Sequence, residues 1–187
     1  MNIIEMKGIY KKSKETDILK DVNFSIKKGK IYGVIGPNGA GKTSTFRILA
    51  GLSKKTTGDV IYYEGKMEEK EARNKMSFMI ENPYLEMEMT ALQNMKLVGI
   101  LYGVSDVKKI EETLKLVELE NTGKKKVKNF SLGMRQRLGI AIALLKSPEL
   151  IVLDEPMNGL DPEGIVEMRK LLQQLNYDLK NLLRKLQ

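Results

Sequence analysis

Gly36-Pro37-Asn38-Gly39-Ala40-Gly41-Lys42-Thr43 stands between an apolar run, Lys30-Ile31-Tyr32-Gly33-Val34-Ile35, and a helix-like run over residues 42–50 that Gly51 closes. The order of strand, glycine-rich turn with Gly-Lys-Thr, and helix is that of a phosphate loop. Glycines at 36, 39 and 41 permit positive φ and let backbone N–H groups approach phosphate oxygens with no Cβ between. The helix adds the partial positive charge of its N-terminus. Lys42 is placed to reach the β- and γ-phosphates of a nucleoside triphosphate and the Thr43 hydroxyl to hold Mg²⁺. All of Gly36, Pro37, Asn38, Gly39, Ala40, Gly41, Lys42, Thr43 and Ser44 are candidate nucleotide contacts. The plainer alternative is a glycine-rich turn closing a βα unit, and the flanking pattern speaks against it.

Composition sets the frame around this loop. The 187 residues fit one globular domain with a buried core. Hydrophobic residues make up 42% of the chain, and no apolar run approaches the roughly 18 residues a membrane span needs. Met1-Asn2-Ile3-Ile4-Glu5 has neither a basic segment nor a long apolar stretch, so nothing marks a secretory signal. Without cysteine there is no disulfide framework or thiolate metal site, as suits a reducing cytoplasm, and without histidine there is no imidazole base. A net charge of +8 raises nucleic acid or an anionic membrane as partners. The lysines are mostly interleaved with acids, as on solvated faces. The one local cluster, Lys124-Lys125-Lys126 with Lys128, has no interleaved aromatic on which bases would stack, so no nucleic acid is expected.

Strand patterns occupy the first 65 residues, at 3–6, 22–26, 31–35 and 60–63, with turns at 27–29 and 56–59. Residues 76–80 read as another short strand ended by Asn82-Pro83. From about Thr90 the period becomes helical. Val107, Ile110, Leu114 and Val117 share one helix face that Ser105 or Asp106 can cap, and Ser131 caps a second helix over 132–145. Leu150-Ile151-Val152-Leu153 is a short apolar strand. Strands alternating with helices predict a parallel sheet in an α/β core, with a helical insertion over roughly 85–146.

Asp154 and Glu155 end that apolar strand, where ligands of open α/β sheets gather. Asp154 suits Mg²⁺ opposite Thr43, and Glu155 suits polarisation of an attacking water. Two acids before Pro156 are a weak signal alone and a strong one beside the phosphate loop. Farther back, Phe130-Ser131-Leu132-Gly133-Met134-Arg135-Gln136-Arg137 offers a Ser hydroxyl, bare backbone N–H groups and a helix N-terminus, a second anion site. Two phosphate sites on one chain suggest that one serves a neighbour's nucleotide; the alternative is an ordinary N-cap.

Together these residues resemble the ATP-binding subunit of ABC transporters, over nearly the whole chain up to about residue 175. The resemblance implies a single domain over residues 1–187 with a P-loop NTPase core, a parallel sheet and an N-terminal antiparallel β subdomain. It implies ATP and Mg²⁺ as cofactors and ATP hydrolysis as the activity. Tyr10 looks like the aromatic that stacks on adenine, residues 130–134 like the family signature, and Asn158-Gly159-Leu160-Asp161 like the D-loop. Two copies would close head to tail, Ser131, Gly133 and Asp161 of each meeting nucleotide on the other, and a separate transmembrane permease would be the partner. The expected location is peripheral, on the cytoplasmic face of the cell membrane. Glu81 stands where the family usually carries Gln, and the signature reads Ser-Leu-Gly-Met. Both departures resemble the subgroup that exports bacitracin and lantibiotic peptides. An anionic Glu81 near the γ-phosphate would tighten Mg²⁺ and loosen bare nucleotide; the alternative is a solvated loop acid.

One expected part is missing. In the resembling family the helix after the D-loop leads to a central strand ending in a His. Here residues 176–187 contain no β-branched residue and the chain has no His. Ile165, Met168, Leu172, Leu175, Leu179, Leu182 and Leu186 instead recur at helical steps after Asp161 as cap and Pro162 as first helical residue, a core-facing helix or a coiled-coil seam. The expectation is a truncated or frameshifted chain whose sheet has two unpaired central edges, with impaired turnover. Two other readings are a nucleotide-binding module without turnover and a soluble ATPase acting on DNA or ribosomes, though the long coiled-coil insertion or paired cassettes of the latter are absent.

Overall fold

The computed structural model describes residues 1–13 and 16–185, with side chains of the last helix described as far as Tyr177. Strands β1 (Asn2–Ser13) and β2 (Thr16–Lys27) form an antiparallel pair, and β3 (Thr57–Tyr62) pairs antiparallel with the other edge of β1. One face of β1 buries Ile4, Met6 and Ile9. These pack with Leu19 of β2, with Ile48 and Leu49 of α1 (Lys42–Leu49) and with Ala72 of α2 (Glu69–Asn74). The predicted turn at 56–59 is corrected, since β3 already begins at Thr57. Gly58 lies at φ +92, and a Cβ there would stand 2.2 Å from the Gly8 carbonyl oxygen, so glycine permits a strand contact where the sequence suggested a break.

The second sheet is parallel. Strand β4 (Met76–Met79) pairs with β5 (Leu150–Leu153) in the register Met76↔Leu150 to Met79↔Leu153. The Asp154 N–H donates to the Met79 carbonyl at 2.8 Å and carries the ladder one residue further. Against this sheet pack α3 (Ala91–Tyr102), α4 (Val107–Leu116), α5 (Leu132–Leu144) and α6 (Pro162–Lys185). Their starts follow the sequence. Thr90 and Gln93 form a reciprocal capping box on α3, Asp106 accepts from the Lys108 and Lys109 N–H groups, and Ser131 accepts from Met134. The core joins Met79 to Met95, Ile110, Leu114, Leu138 and Met168. Val107, assigned to the buried face of α4, is exposed. On α6 the buried residues are Met168, Leu171 and Leu175, while Ile165 and Leu172 are half-buried. The side chains of Leu179 and Leu182, and Leu186 altogether, lie outside the described residues.

The strand expected at 31–35 pairs with no other strand among the described residues. Its residues are exposed, Ile35 to 97%. Apolar β-branched composition makes a strand only where a neighbour takes its backbone hydrogen bonds, and β5 is paired with β4 alone. Long side chains join the run to β5 instead. Lys28 Nζ meets Glu149 Oε2 at 2.8 Å before the run, and Lys42 Nζ lies 3.9 Å from Glu155 Oε1 after it.

Candidate functional site

The phosphate loop delivers α1 with its N-terminus open. Gly41 is the N-cap at φ +88, so no side chain caps the helix, and no acid occupies the first turn. The first backbone N–H groups of a helix have no intrahelical acceptor, and here they face a cavity of about 350 Å³ lined by Asn38, Gly39, Ala40, Gly41, Lys42, Thr43, Ser44, Ile18 and Glu155. A Cβ on Gly41 would stand 2.4 Å from Leu19 Cδ2, so the turn is packed against β2 with no room for a side chain. Lys42 Nζ donates to the Gly36 and Pro37 carbonyls at 2.8 and 3.0 Å, which ties the ammonium to its own loop.

Two acids at the sheet end hold left-handed backbone conformations that non-glycine residues rarely adopt, Glu155 at φ +47 and Glu81 at φ +64. Each is matched by a cation of α1. Glu155 lies beside Lys42, and Glu81 Oε1 accepts from Arg47 Nη2 at 2.5 Å. Asp154 is 4% exposed, and its carboxylate takes no hydrogen bond or ion pair from the described residues.

Ser131, Gly133 and Asp161 line a different cavity, of about 630 Å³, at the N-terminus of α5. The Ser131 hydroxyl is already used by the Met134 N–H at 3.2 Å, and Asp161 accepts from Gly164 N–H at 2.8 Å. Arg137 crosses beneath, buried, donating to Glu118 and to Glu167. Tyr10 sits on β1 opposite Thr57 of β3, 38% exposed, and is not part of the phosphate-loop cavity. Thus one cavity unites residues 38–44 with Glu155, a second unites Ser131, Gly133 and Asp161, and Glu81 and Tyr10 belong to neither.

The phosphate loop, the strand-end acids and the capped α5 occur in one chain in the order that the family model for ABC transporters requires, and that model matches residues 19–158. The chain belongs to the ABC transporter family. It is 46% identical over 171 residues to the lantibiotic transport ATP-binding protein SrtF of Streptococcus pyogenes, covering 91% of this chain and 74% of SrtF. It is 44% identical over 173 residues to the bacitracin transport ATP-binding protein BcrA of Bacillus licheniformis, covering 91% of this chain and 56% of BcrA. The chain therefore spans about three quarters of one relative and little more than half of the other. Among solved structures it resembles the dimeric post-hydrolysis state of the ATP-binding cassette MJ0796 bound to ADP and Pi, with a TM-score of 0.76, 31% identity, and 94% of this chain and 83% of that one covered.

The residues present fit the cofactors that an ABC ATPase takes. Open N–H groups, Lys42 and a cavity of this size suit a phosphate tail. Mg²⁺ bound with phosphates needs few protein ligands; among the described residues no three acidic or metal-binding side chains converge, while the Thr43 hydroxyl lines the cavity and Asp154 presents an unpaired buried carboxylate. Sequence reasoning missed Ile18, the apolar wall of the cavity, and Arg47, the partner of Glu81. Arg47 was findable from its place four residues after Thr43.

Proposed function

We propose that this chain is the ATP-binding and ATP-hydrolysing subunit of an ABC exporter of peptide antibiotics of the bacitracin or lantibiotic type. The observation that carries the reading is the shared cavity of the open α1 N-terminus and Glu155. The loop N–H groups and Lys42 bind the β- and γ-phosphates, the ammonium exchanging its loop carbonyls for phosphate oxygens. Thr43 and Asp154 would hold Mg²⁺, which neutralises phosphate charge. Glu155 orients a water in line with the γ-phosphorus and takes its proton as the O–P bond forms, and the leaving ADP carries the electron pair of the broken bond. Tyr10 stacks on adenine. Ser131, Gly133 and Asp161 act on nucleotide held by a second copy, in a head-to-tail dimer whose closure drives a separate permease, with this chain peripheral on the cytoplasmic face of the membrane. No helix among the described residues is long and apolar enough to cross a membrane. A docking face at residues 81–88 and the helical insertion is supported by exposed Tyr84, Ile100 and Leu101. Close by, hydrogen bonds from Lys128 and Lys126 hold the Glu88 carboxyl below its ordinary value.

The test is ATP turnover by the parent and by Glu155→Gln. The variant is expected to trap an ATP-bound dimer and to lose turnover; hydrolysis at the parental rate would remove Glu155 as the base. Deletion of the gene is expected to lower tolerance to bacitracin or a lantibiotic, and unchanged tolerance to both would remove the substrate class. A second reading, nucleotide binding without turnover, is favoured by the unpaired run at 31–35, which leaves Glu155 and the phosphate loop joined through side chains. ATP affinity with no phosphate release would select it.

A further inference from the structure

Arg47 is absent from the catalytic scheme above, yet it makes the one direct contact between α1 and the loop after β4 that carries Glu81. Thr43 and Arg47 are four residues apart on α1, hence on one helix face with Cβ atoms about 5–6 Å apart. The Glu81 carboxylate, seated on Arg47, is therefore about one helix turn along that face from the hydroxyl assigned to Mg²⁺. Both side chains are roughly half exposed, Arg47 to 48% and Glu81 to 60%, and a solvent-exposed pair of this kind is weak and readily exchanged. Glu81 also holds its φ of +64 with no glycine to ease it, a conformation that fixes where its side chain starts.

We infer that Arg47 is a positioning residue that holds Glu81 off the metal position and gives it up when metal-bound nucleotide occupies the phosphate loop. The inference rests on the ATP-binding reading above and deepens it. Its logic is electrostatic. Beside Arg47 the Glu81 charge is compensated, so bare nucleotide can enter without facing an extra anion. Once a divalent cation arrives with the nucleotide, one turn of displacement along α1 exchanges the guanidinium for a more concentrated positive charge, and Arg47 is left free near the C-terminal turn of α1, where the helix dipole favours a cation.

The test is equilibrium binding of a fluorescent ATP analogue, in EDTA and in excess Mg²⁺, to the parent, Arg47→Met, Arg47→Lys, Glu81→Gln and the Arg47→Met/Glu81→Gln pair. The readout is the ratio of the two dissociation constants. Arg47→Met frees the carboxylate, weakening binding in EDTA and strengthening it in Mg²⁺, so the ratio is expected to rise about fivefold. Arg47→Lys is expected to restore the parental ratio. In the Glu81→Gln background Arg47→Met is expected to leave the ratio unchanged, since there is no charge to hold. A merely structural role would shift both constants in the same direction. Equal shifts in the two conditions, or the same effect with and without Glu81, overturns the inference alone. No binding to the parent in either condition overturns it together with the ATP-binding reading.

Discussion

The N-termini of α1 and α5 both read in the sequence as anion sites, and the chain builds them in opposite ways. At α1 a left-handed glycine replaces the capping side chain, and the first N–H groups are left for a ligand beside Lys42. At α5 Ser131 satisfies the Met134 N–H itself, and the cavity in front also carries Glu118, Asp161, Glu163 and Glu167. Phosphate is attractive at the first end with nothing added. At the second, four carboxylates oppose a free anion, so it contributes only when nucleotide arrives already bound, with its charge neutralised elsewhere. Two sites of similar sequence thus divide into one that captures and one that is presented with what another has captured.

The largest expected effect is at the capturing end. Lys42→Ala is expected to weaken ATP binding about 100-fold, the scale of losing charge-assisted hydrogen bonds to phosphate, with the fold retained by circular dichroism. A matched pair of glycine substitutions sharpens the contrast. Gly41→Ala forces a side chain into φ +88 against Leu19 and the Ile18 carbonyl and is expected to cost about 1–3 kcal/mol in denaturant unfolding. Gly133→Ala meets only Leu160 at an ordinary 3.7 Å and is expected to be neutral or stabilising, by up to about 1 kcal/mol. Equal losses at both positions would erase the distinction drawn here. Ser131→Ala removes the cap and is expected to cost about 1 kcal/mol while monomeric ATP affinity stays within twofold. The smallest effect lies away from both ends. Burial, aided by the Glu149 carboxylate, pushes the Tyr63 phenol up to about 12. A folded-state value above the ordinary 10.0 means the native state keeps its proton while the unfolded chain loses it, so this contribution is complete below pH 10 and drains away towards pH 12. Tyr63→Phe, which deletes a buried hydroxyl without a partner among the described residues, is expected to flatten that decline in melts from pH 9 to 12.

Much of this was legible because it is local. Thr90, Asp106 and Ser131 cap the helices they precede, and the phosphate loop opens α1, since each depends only on side chains within a few residues of its own backbone. The apolar run at 31–35 misled because strand propensity describes a surface waiting for a partner, and the partner is a property of the whole sheet. The turn expected at 56–59 misled for the reverse reason. Gly58 serves a close approach to Gly8 far away in sequence, which no local pattern announces. Glu81 was picked out correctly as unusual, but its contact with Arg47 follows from tertiary placement, so the residue was visible and its neighbour was not.

The exposed run at 31–35 and the free edge of β5 also govern how this chain behaves among its own copies. Unpaired backbone beside β-branched side chains is a template on which other chains can add strands. A net charge of +8 opposes such encounters when counter-ions are scarce. Added salt shortens the reach of that repulsion, to about 10 Å at 0.1 M. The purified chain is therefore expected to stay dispersed in dilute buffer and to scatter light progressively as ionic strength rises, so that salt sets its colloidal lifetime.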